Sequence, residues 1–198
     1  MAYSHLFRYY QIMAVEIELK AWVKDPEAQR SVISRLARYT GAYRREDAYW
    51  YASAASGAGV RVRRESSASP CGETVHLTLV TYKTKEVRDG IEVNHEREFE
   101  VSDGAVFEEL LGRLGLARGA HKLKRGWSWD CRGITVELSE VEGLGWFAEL
   151  EILADEDLPE TVAGARRRLL ELLNEIGIPG ENIEGRCYTE MLRELTTM

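Results

Sequence analysis

The chain is predicted to adopt an α+β fold in which eight antiparallel strands close into a β-barrel flanked by α-helices. Three observations lead there. Eight segments alternate apolar and polar residues, or are rich in β-branched and aromatic ones, and are separated by Ser/Ala/Gly or Pro-Cys-Gly turn material. Three longer stretches repeat apolar residues at helical spacing between Asp or Pro starts and Gly stops. Several strands are apolar on one face and densely charged on the other, so helices can cover the apolar faces while the charged faces line a lumen. A barrel of about eight strands holds one small ligand.

The first clear strand is 14–23; Met13, directly before it, is an alternative start, with residues 1–12 an aromatic N-terminal extension. Asp25-Pro26 reads as N-cap and first helical position. Val32, Ile33 and Leu36 give a modest stripe for a helix ending near Gly41. Strands follow at 49–52, 59–64, 75–83 and 93–101. Asp103 caps a second helix carrying Val106, Phe107, Leu110, Leu111 and Leu114, stopped by Gly115. Strands resume at 121–129, 133–138 and 146–153. Pro159 opens a third helix with Val162, Leu169, Leu172, Leu173 and Ile176 on its apolar face and Gly177 at its end, and a short helix covers 188–195. No repeat or linker divides the chain, so 1–198 is expected to be one domain.

Composition narrows the function. A formal net charge of −7 argues against coating nucleic acid, which is built on excess Lys and Arg. No run approaches the roughly 18 to 20 apolar residues of a membrane span, and no secretory leader precedes the first strand, so a cytoplasmic protein is expected. Cys71, Cys131 and Cys187 lie far apart without CxxC spacing, which indicates neither a disulfide framework nor a zinc site. His5, His76, His95 and His121 show no ligand spacing. Two Gln and three Asn beside 59 charged residues suit a thermophile. Arg outnumbers Lys by 20 to 6, yet five of the lysines (Lys20, Lys83, Lys85, Lys122, Lys124) fall in strand-like segments. Chance accounts for that placement, and selection for compact ammonium groups is the alternative.

Residues two apart share a strand face. Glu16, Glu18 and Lys20 therefore project together, as do Arg61 with Arg63, Lys83 with Lys85, Lys122 with Lys124, and Glu149 with Glu151. A charged strand edge that blocks aggregation accounts for any one pair. The joint pattern differs, because acids sit on the first and last strands and bases on those between, whereas a solubility surface mixes signs. Like charges side by side need counterions. A triphosphate with Mg²⁺ or Mn²⁺ supplies both, and hard carboxylate ligands suit those ions.

Glu16-x-Glu18-x-Lys20 matches the ExExK signature of the CYTH, or triphosphate tunnel metalloenzyme, family, which includes class IV adenylate cyclases, thiamine triphosphatases and tripolyphosphatases. Asp47-Ala-Tyr49-Trp resembles the family's D-x-Y-F strand, Val60-Arg-Val-Arg63 its R-x-R strand, Leu79-Val-Thr-Tyr-Lys83 its L-T-x-K strand, and Lys122-Leu-Lys124 its K-x-R strand. Gly143-Leu-Gly-Trp-Phe-Ala-Glu149-Leu-Glu151 resembles G-L-G-x-F-x-E-x-E. Arg186-Cys-Tyr-Thr-Glu-Met-Leu192 resembles the R-S-Y-x-x-L-L ending of the class IV cyclase-like branch.

The resemblance implies an eight-stranded triphosphate tunnel, Mg²⁺ or Mn²⁺ dependence, a triphosphate-containing small molecule as substrate and, in many members, a homodimer. By carry-over, Glu16, Glu18, Glu149 and Glu151 hold metal, and Lys20 with Glu16 and Glu18 forms the catalytic signature. Arg61, Arg63, Lys83, Lys122, Lys124 and Arg186, with Lys20, hold phosphate oxygens. Arg97 is a further candidate, although Glu96 and Glu98 equally place it in a surface charge ladder. Tyr49, Trp50, Trp127 and Trp129 read as core or tunnel-rim packing rather than base platforms. Three departures stand out: Ser139 where many members carry a metal-facing Asp, Lys124 for a common Arg, and Cys187 for Ser. Hydrolysis of a triphosphate is the favoured reaction, because no residues for a nucleoside pocket can be identified. Cyclisation of ATP to cyclic AMP and a noncatalytic polyphosphate-binding module are the alternatives.

Overall fold

The computed structural model describes residues 15–52, 59–88 and 91–197, with side chains described throughout these except at 83–88, 95, 96, 196 and 197. The expectations for residues 1–12 and Met13 lie outside the described residues. Eight strands are present: β1 (Val15–Trp22), β2 (Arg38–Tyr51), β3 (Gly59–Ala68), β4 (Thr74–Arg88), β5 (Ile91–Glu100), β6 (Ala117–Cys131), β7 (Ile134–Val141) and β8 (Gly145–Ala154). They close into a barrel in the order β1-β5-β4-β3-β2-β6-β7-β8, and every neighbouring pair, including β8 with β1, is antiparallel. Among the described residues four α-helices flank it: α1 (Pro26–Leu36), α2 (Gly104–Arg113), α3 (Pro159–Glu175) and α4 (Tyr188–Thr197). None of the described helices is long and apolar enough to cross a membrane.

The hydrophobic core lies outside the barrel wall. Ile17, Leu19 and Ala21 of β1, Val136 and Leu138 of β7, and Ala148, Leu150 and Ile152 of β8 point outward and are sealed by Val162, Leu169, Leu172 and Leu173 of α3. Ile33 of α1 and Trp129 of β6 join the same cluster, and Trp127 packs against it, stacked on Trp146. The opposite parity of each strand faces the lumen, which is where the charges go.

Two helix expectations change. Helix α1 ends at Leu36 rather than near Gly41, and Ala37 is already extended (φ −130°, ψ 150°). The apolar stripe runs out at Leu36, so nothing holds another turn to the barrel. Gly41 belongs to β2 instead, at φ +151° beside a register shift against β6; a Cβ there would lie 2.4 Å from the Ala68 carbonyl oxygen. Helix α2 is capped by Asp103 as expected, its carboxylate accepting from the Ala105 and Val106 amides. Of its apolar residues only Leu111 is buried, while Val106, Leu110 and Leu114 face outward.

The strands are longer than hydrophobic alternation suggests. β2 runs 14 residues because it pairs with both β3 and β6, although its sequence, Arg-Tyr-Thr-Gly-Ala-Tyr-Arg-Arg-Glu-Asp-Ala-Tyr-Trp-Tyr, carries charge on both faces. Since stability resides in the outer core, Leu169→Ala should cost about 2–5 kcal/mol in urea unfolding, whereas Val106→Ala on the exposed face of α2 should stay within ~0.5 kcal/mol. Equal losses would place the core elsewhere.

Candidate functional site

Alternation places Glu16, Glu18 and Lys20 of β1 in the lumen, and antiparallel register sets Glu18 opposite Glu151 and Lys20 opposite Glu149 on β8. On the other side of β1, Glu18 stands opposite Glu92 of β5. Three carboxylates thus run in a row across β5, β1 and β8, an arrangement that like-charge repulsion opposes unless cations intervene. Lys20 meets one of them, with Nζ 2.5 Å from Glu92 Oε1.

The opposite wall is basic but already paired. Asp47, fully buried on β2, accepts from Arg63 of β3 through two bonds of 2.8 and 3.0 Å and forms an ion pair with Lys122 of β6 at 3.0 Å. Burial alone would raise its carboxyl, yet Arg63 and Lys122 hold it well below the usual carboxylate range. Arg61 donates to Thr81 Oγ1 at 2.9 Å, and the Thr81 hydroxyl in turn donates to Glu98 at 2.8 Å.

Between the two walls Lys124 of β6 donates to Glu137 of β7 at 2.7 Å and to Glu149 of β8, two carboxylates that are register partners. Arg45 bonds both Glu137 oxygens at 2.8 and 2.9 Å and Glu65 at 2.8 Å, and the Tyr43 hydroxyl donates to Glu137 at 2.7 Å. Helix α4 closes this end of the lumen. Its Tyr188 donates to the second Glu149 oxygen, lies under the Lys20 and Lys122 ammonium groups at 5.5 and 5.2 Å, and packs edge-on against Phe147. Burial opposes ionisation of Glu149, but the Lys124 charge, assisted by hydrogen bonds from Lys124 and Tyr188, keeps its carboxyl below the ordinary value.

These groups line a cavity of about 1160 Å³. Nine glutamates and six Lys or Arg among the described residues face it, so its lining carries more acid than base. A polyanion therefore needs further cations to enter. The carboxylates on β1 and β8 are hard oxygen donors of the kind a divalent ion takes, although among the described residues no three acidic, His or Cys side chains are gathered closely enough to hold one. Asn94, the register partner of Glu16, is fully buried, and neither of its amide atoms meets a partner; the buried Ser139 hydroxyl is likewise unmet. Such orphaned groups call for a bound ion, ligand or water.

Of the residues expected from sequence, Glu16, Glu18, Lys20, Arg61, Arg63, Lys122, Lys124, Glu149 and Glu151 come together around this cavity. Lys83 and Lys85 occupy β4 positions of the same parity as Thr81, with side chains outside the described set. Arg97 does not join them: it is exposed, on the parity of β5 opposite to Glu98. Arg186 is also exposed, bound to Glu184 at 2.6 Å and Glu194 at 2.9 Å on the surface before α4. Its neighbour Tyr188 enters the lumen instead. The segregation of acids from bases by strand is only partial, because Asp47, Glu65, Glu98 and Glu137 sit among the basic strands. Sequence reasoning passed over Arg45, Glu65, Glu92, Glu98, Glu137 and Tyr188 as site residues. The parity of Glu137 with Ser139, and of Arg45 with Asp47, was the available signal.

A CYTH domain model matches residues 14–188. The chain belongs to the CYTH family. Among solved structures, PH1819 from Pyrococcus horikoshii OT3 is 25% identical with a TM-score of 0.78, covering 91% of this chain and 99% of that one. PH1012 from the same organism is 27% identical with a TM-score of 0.73, covering 88% and 98%. HpAC1 from Hippeastrum, for which a dominant triphosphatase activity is described, is 18% identical with a TM-score of 0.62 over 92% and 96%, a likeness of fold. A comparison with curated proteins found no match. CYTH proteins are generally metal-dependent.

The Asp47 cluster yields a stability prediction. Asp47→Asn leaves Arg63 and Lys122 without their buried counter-charge and should cost about 3–5 kcal/mol at neutral pH. Because the folded Asp47 carboxyl lies below its unfolded value of about 3.9, its stabilisation is present above that value and is lost as pH falls through the lowered folded one. Urea titrations of both proteins from pH 7 downward should converge in strong acid; a gap independent of pH would contradict the assignment.

Proposed function

We propose that this CYTH protein hydrolyses triphosphates in the barrel lumen with the help of a divalent cation. The observation that carries this reading is a lumen in which carboxylates of β1 and β8 stand with six cationic side chains of the described residues. Glu16, Glu18, Glu149 and Glu151 would hold Mg²⁺ or Mn²⁺, which supplies Lewis acidity and offsets phosphate charge. Arg61 and Arg63 present planar guanidinium forks to phosphate oxygens, and Lys20, Lys122 and Lys124 add compact charges. Phosphoryl transfer asks a protein chiefly for positioning and charge neutralisation, which this array provides. In the reaction a water oxygen attacks the terminal phosphorus, the bridging P–O bond breaks, and orthophosphate, the shortened phosphate and a proton leave.

A second reading, cyclisation of ATP with loss of pyrophosphate, is favoured by one observation. Leu77 and Leu79 of β4 share the lumen parity of Thr81 and line the cavity, whose volume exceeds the roughly 300–1,000 Å³ of typical ligand pockets and leaves room for an organic group beside the phosphates.

Incubation with tripolyphosphate and with ATP, each with Mg²⁺ and with Mn²⁺, should release orthophosphate in both cases and stop in excess EDTA. Glu149→Gln should lower turnover at least about a hundredfold while leaving the circular dichroism spectrum intact. Cyclic AMP with pyrophosphate as the main products would transfer the assignment to the cyclase, and full turnover in EDTA would remove the metal from it.

A further inference from the structure

Both oxygens of Glu149 are occupied from within the protein: Oε2 accepts from Lys124 and Oε1 from Tyr188. Lys124 is 3% exposed, so its ammonium is sequestered between Glu149 and Glu137 rather than presented to solvent. Among the described residues, no group of three or more acidic, His or Cys side chains is gathered in a form that could hold an ion. The acids are instead held by internal donors, with Lys20 on Glu92 and Lys124 on Glu149 and Glu137.

We propose that Lys124 is an internal counter-cation that occupies Glu149 until a metal–triphosphate complex arrives, so that divalent cation and triphosphate are taken up together and the free cation is excluded. This rests on Glu149 being a metal carboxylate, as in the proposed function. A free dication reaching Glu149 displaces Lys124 and leaves two cations side by side in a lumen of low dielectric. A metal–triphosphate complex instead brings a new partner for each group released: Glu149 exchanges ammonium for metal, and Lys124 exchanges Glu149 for a phosphate oxygen. Glu137 remains on Lys124 throughout. With Arg45 and Tyr43 holding both of its oxygens, Glu137 is a positioning residue that keeps the ammonium facing the lumen. A lysine suits this exchange, since its charge is compact and its three donors can change partners by a small rotation, whereas an arginine fork is fixed in geometry.

The test is Mn²⁺ binding to the full chain without triphosphate, followed by calorimetry and by the loss of free Mn²⁺ paramagnetic resonance signal. Lys124→Met should tighten Mn²⁺ binding by about tenfold or more, the scale on which neighbours of a metal ligand alter affinity. It should also weaken binding of tripolyphosphate, while Lys124→Arg stays close to the wild type in Mn²⁺ affinity. If Lys124→Met fails to fold, Lys124→Met with Glu137→Gln removes one charge of each sign and carries the same expectation. Mn²⁺ affinity that is unchanged or weaker in the folded Lys124→Met chain, or in that double variant, overturns the proposal. Glu149→Gln separates the two levels when the Mn²⁺–tripolyphosphate complex is titrated into the chain: if it abolishes uptake of the complex while Lys124→Met brings no gain in free Mn²⁺ binding, only the counter-cation role fails. If Glu149→Gln leaves uptake of the complex unaltered, the metal assignment of Glu149 fails as well.

Discussion

Ionised side chains enclosed by protein are tolerable only when each finds an opposite charge or a hydrogen-bond donor, and this barrel encloses many of them. Most of its architecture follows from that requirement. The acids of β1, β7 and β8 and the bases of β3 and β6 come from distant parts of the chain, so only a closed sheet in one register brings Lys124 to Glu137 and Glu149, and Arg63 to Asp47. A slip of one residue in β1 or β8 would turn its charges into the apolar outer core and its Ile and Leu side chains into the lumen.

Stability and function are therefore housed on opposite faces of the same strands. The outer faces of β1, β7 and β8 are sealed by α3 and α1, which supply the apolar burial that folding needs. The inner pairs are a poor source of stability, because desolvation of buried ions consumes much of their attraction. What they provide is a set of charges held in position and able to change partners. Such pairs suit a site whose ligand is itself a polyanion accompanied by a cation.

The walls of the lumen are unequal. β8 closes on β1, so the first and last strands, both acidic, become neighbours, while Arg61, Arg63 and Lys122 are gathered on the other side around Asp47 and Thr81. Helix α4 then covers one end through Tyr188 and Met191 against Phe147 and Val141. This asymmetry would give a metal–triphosphate, bound as proposed, a direction. Membership in the CYTH family leaves open which phosphorus is attacked, because a fold carries many chemistries and the reaction depends on what lies beside the phosphates. In the reading proposed above that neighbour would be the Leu77–Leu79 surface, which faces the lumen on the parity of Thr81.

Much of this was legible in the sequence. Period-two alternation is a local property, so Glu16, Glu18 and Lys20, Arg61 and Arg63, Lys122 and Lys124, and Glu149 and Glu151 could be assigned to shared faces without knowing what they faced. The eight strands, the Asp103 cap and the apolar face of α3 are equally local. Local reading fell short where both faces of a strand are polar, as in β2, of which only 49–52 was expected as strand, so Arg45 was passed over. Arg97, for which a surface charge ladder was the equal alternative, faces outward, and Arg186, carried over from the terminal motif, stays on the surface with Glu184 and Glu194. By itself, the sequence determined which residues share a face and that one face of most strands had to be kept from the apolar core. Only the tertiary structure decided which charges meet, because the pairs of Lys20 with Glu92, Lys124 with Glu137 and Glu149, and Tyr188 with Glu149 join strands and a helix far apart in the chain, and closure of the barrel alone sets their register.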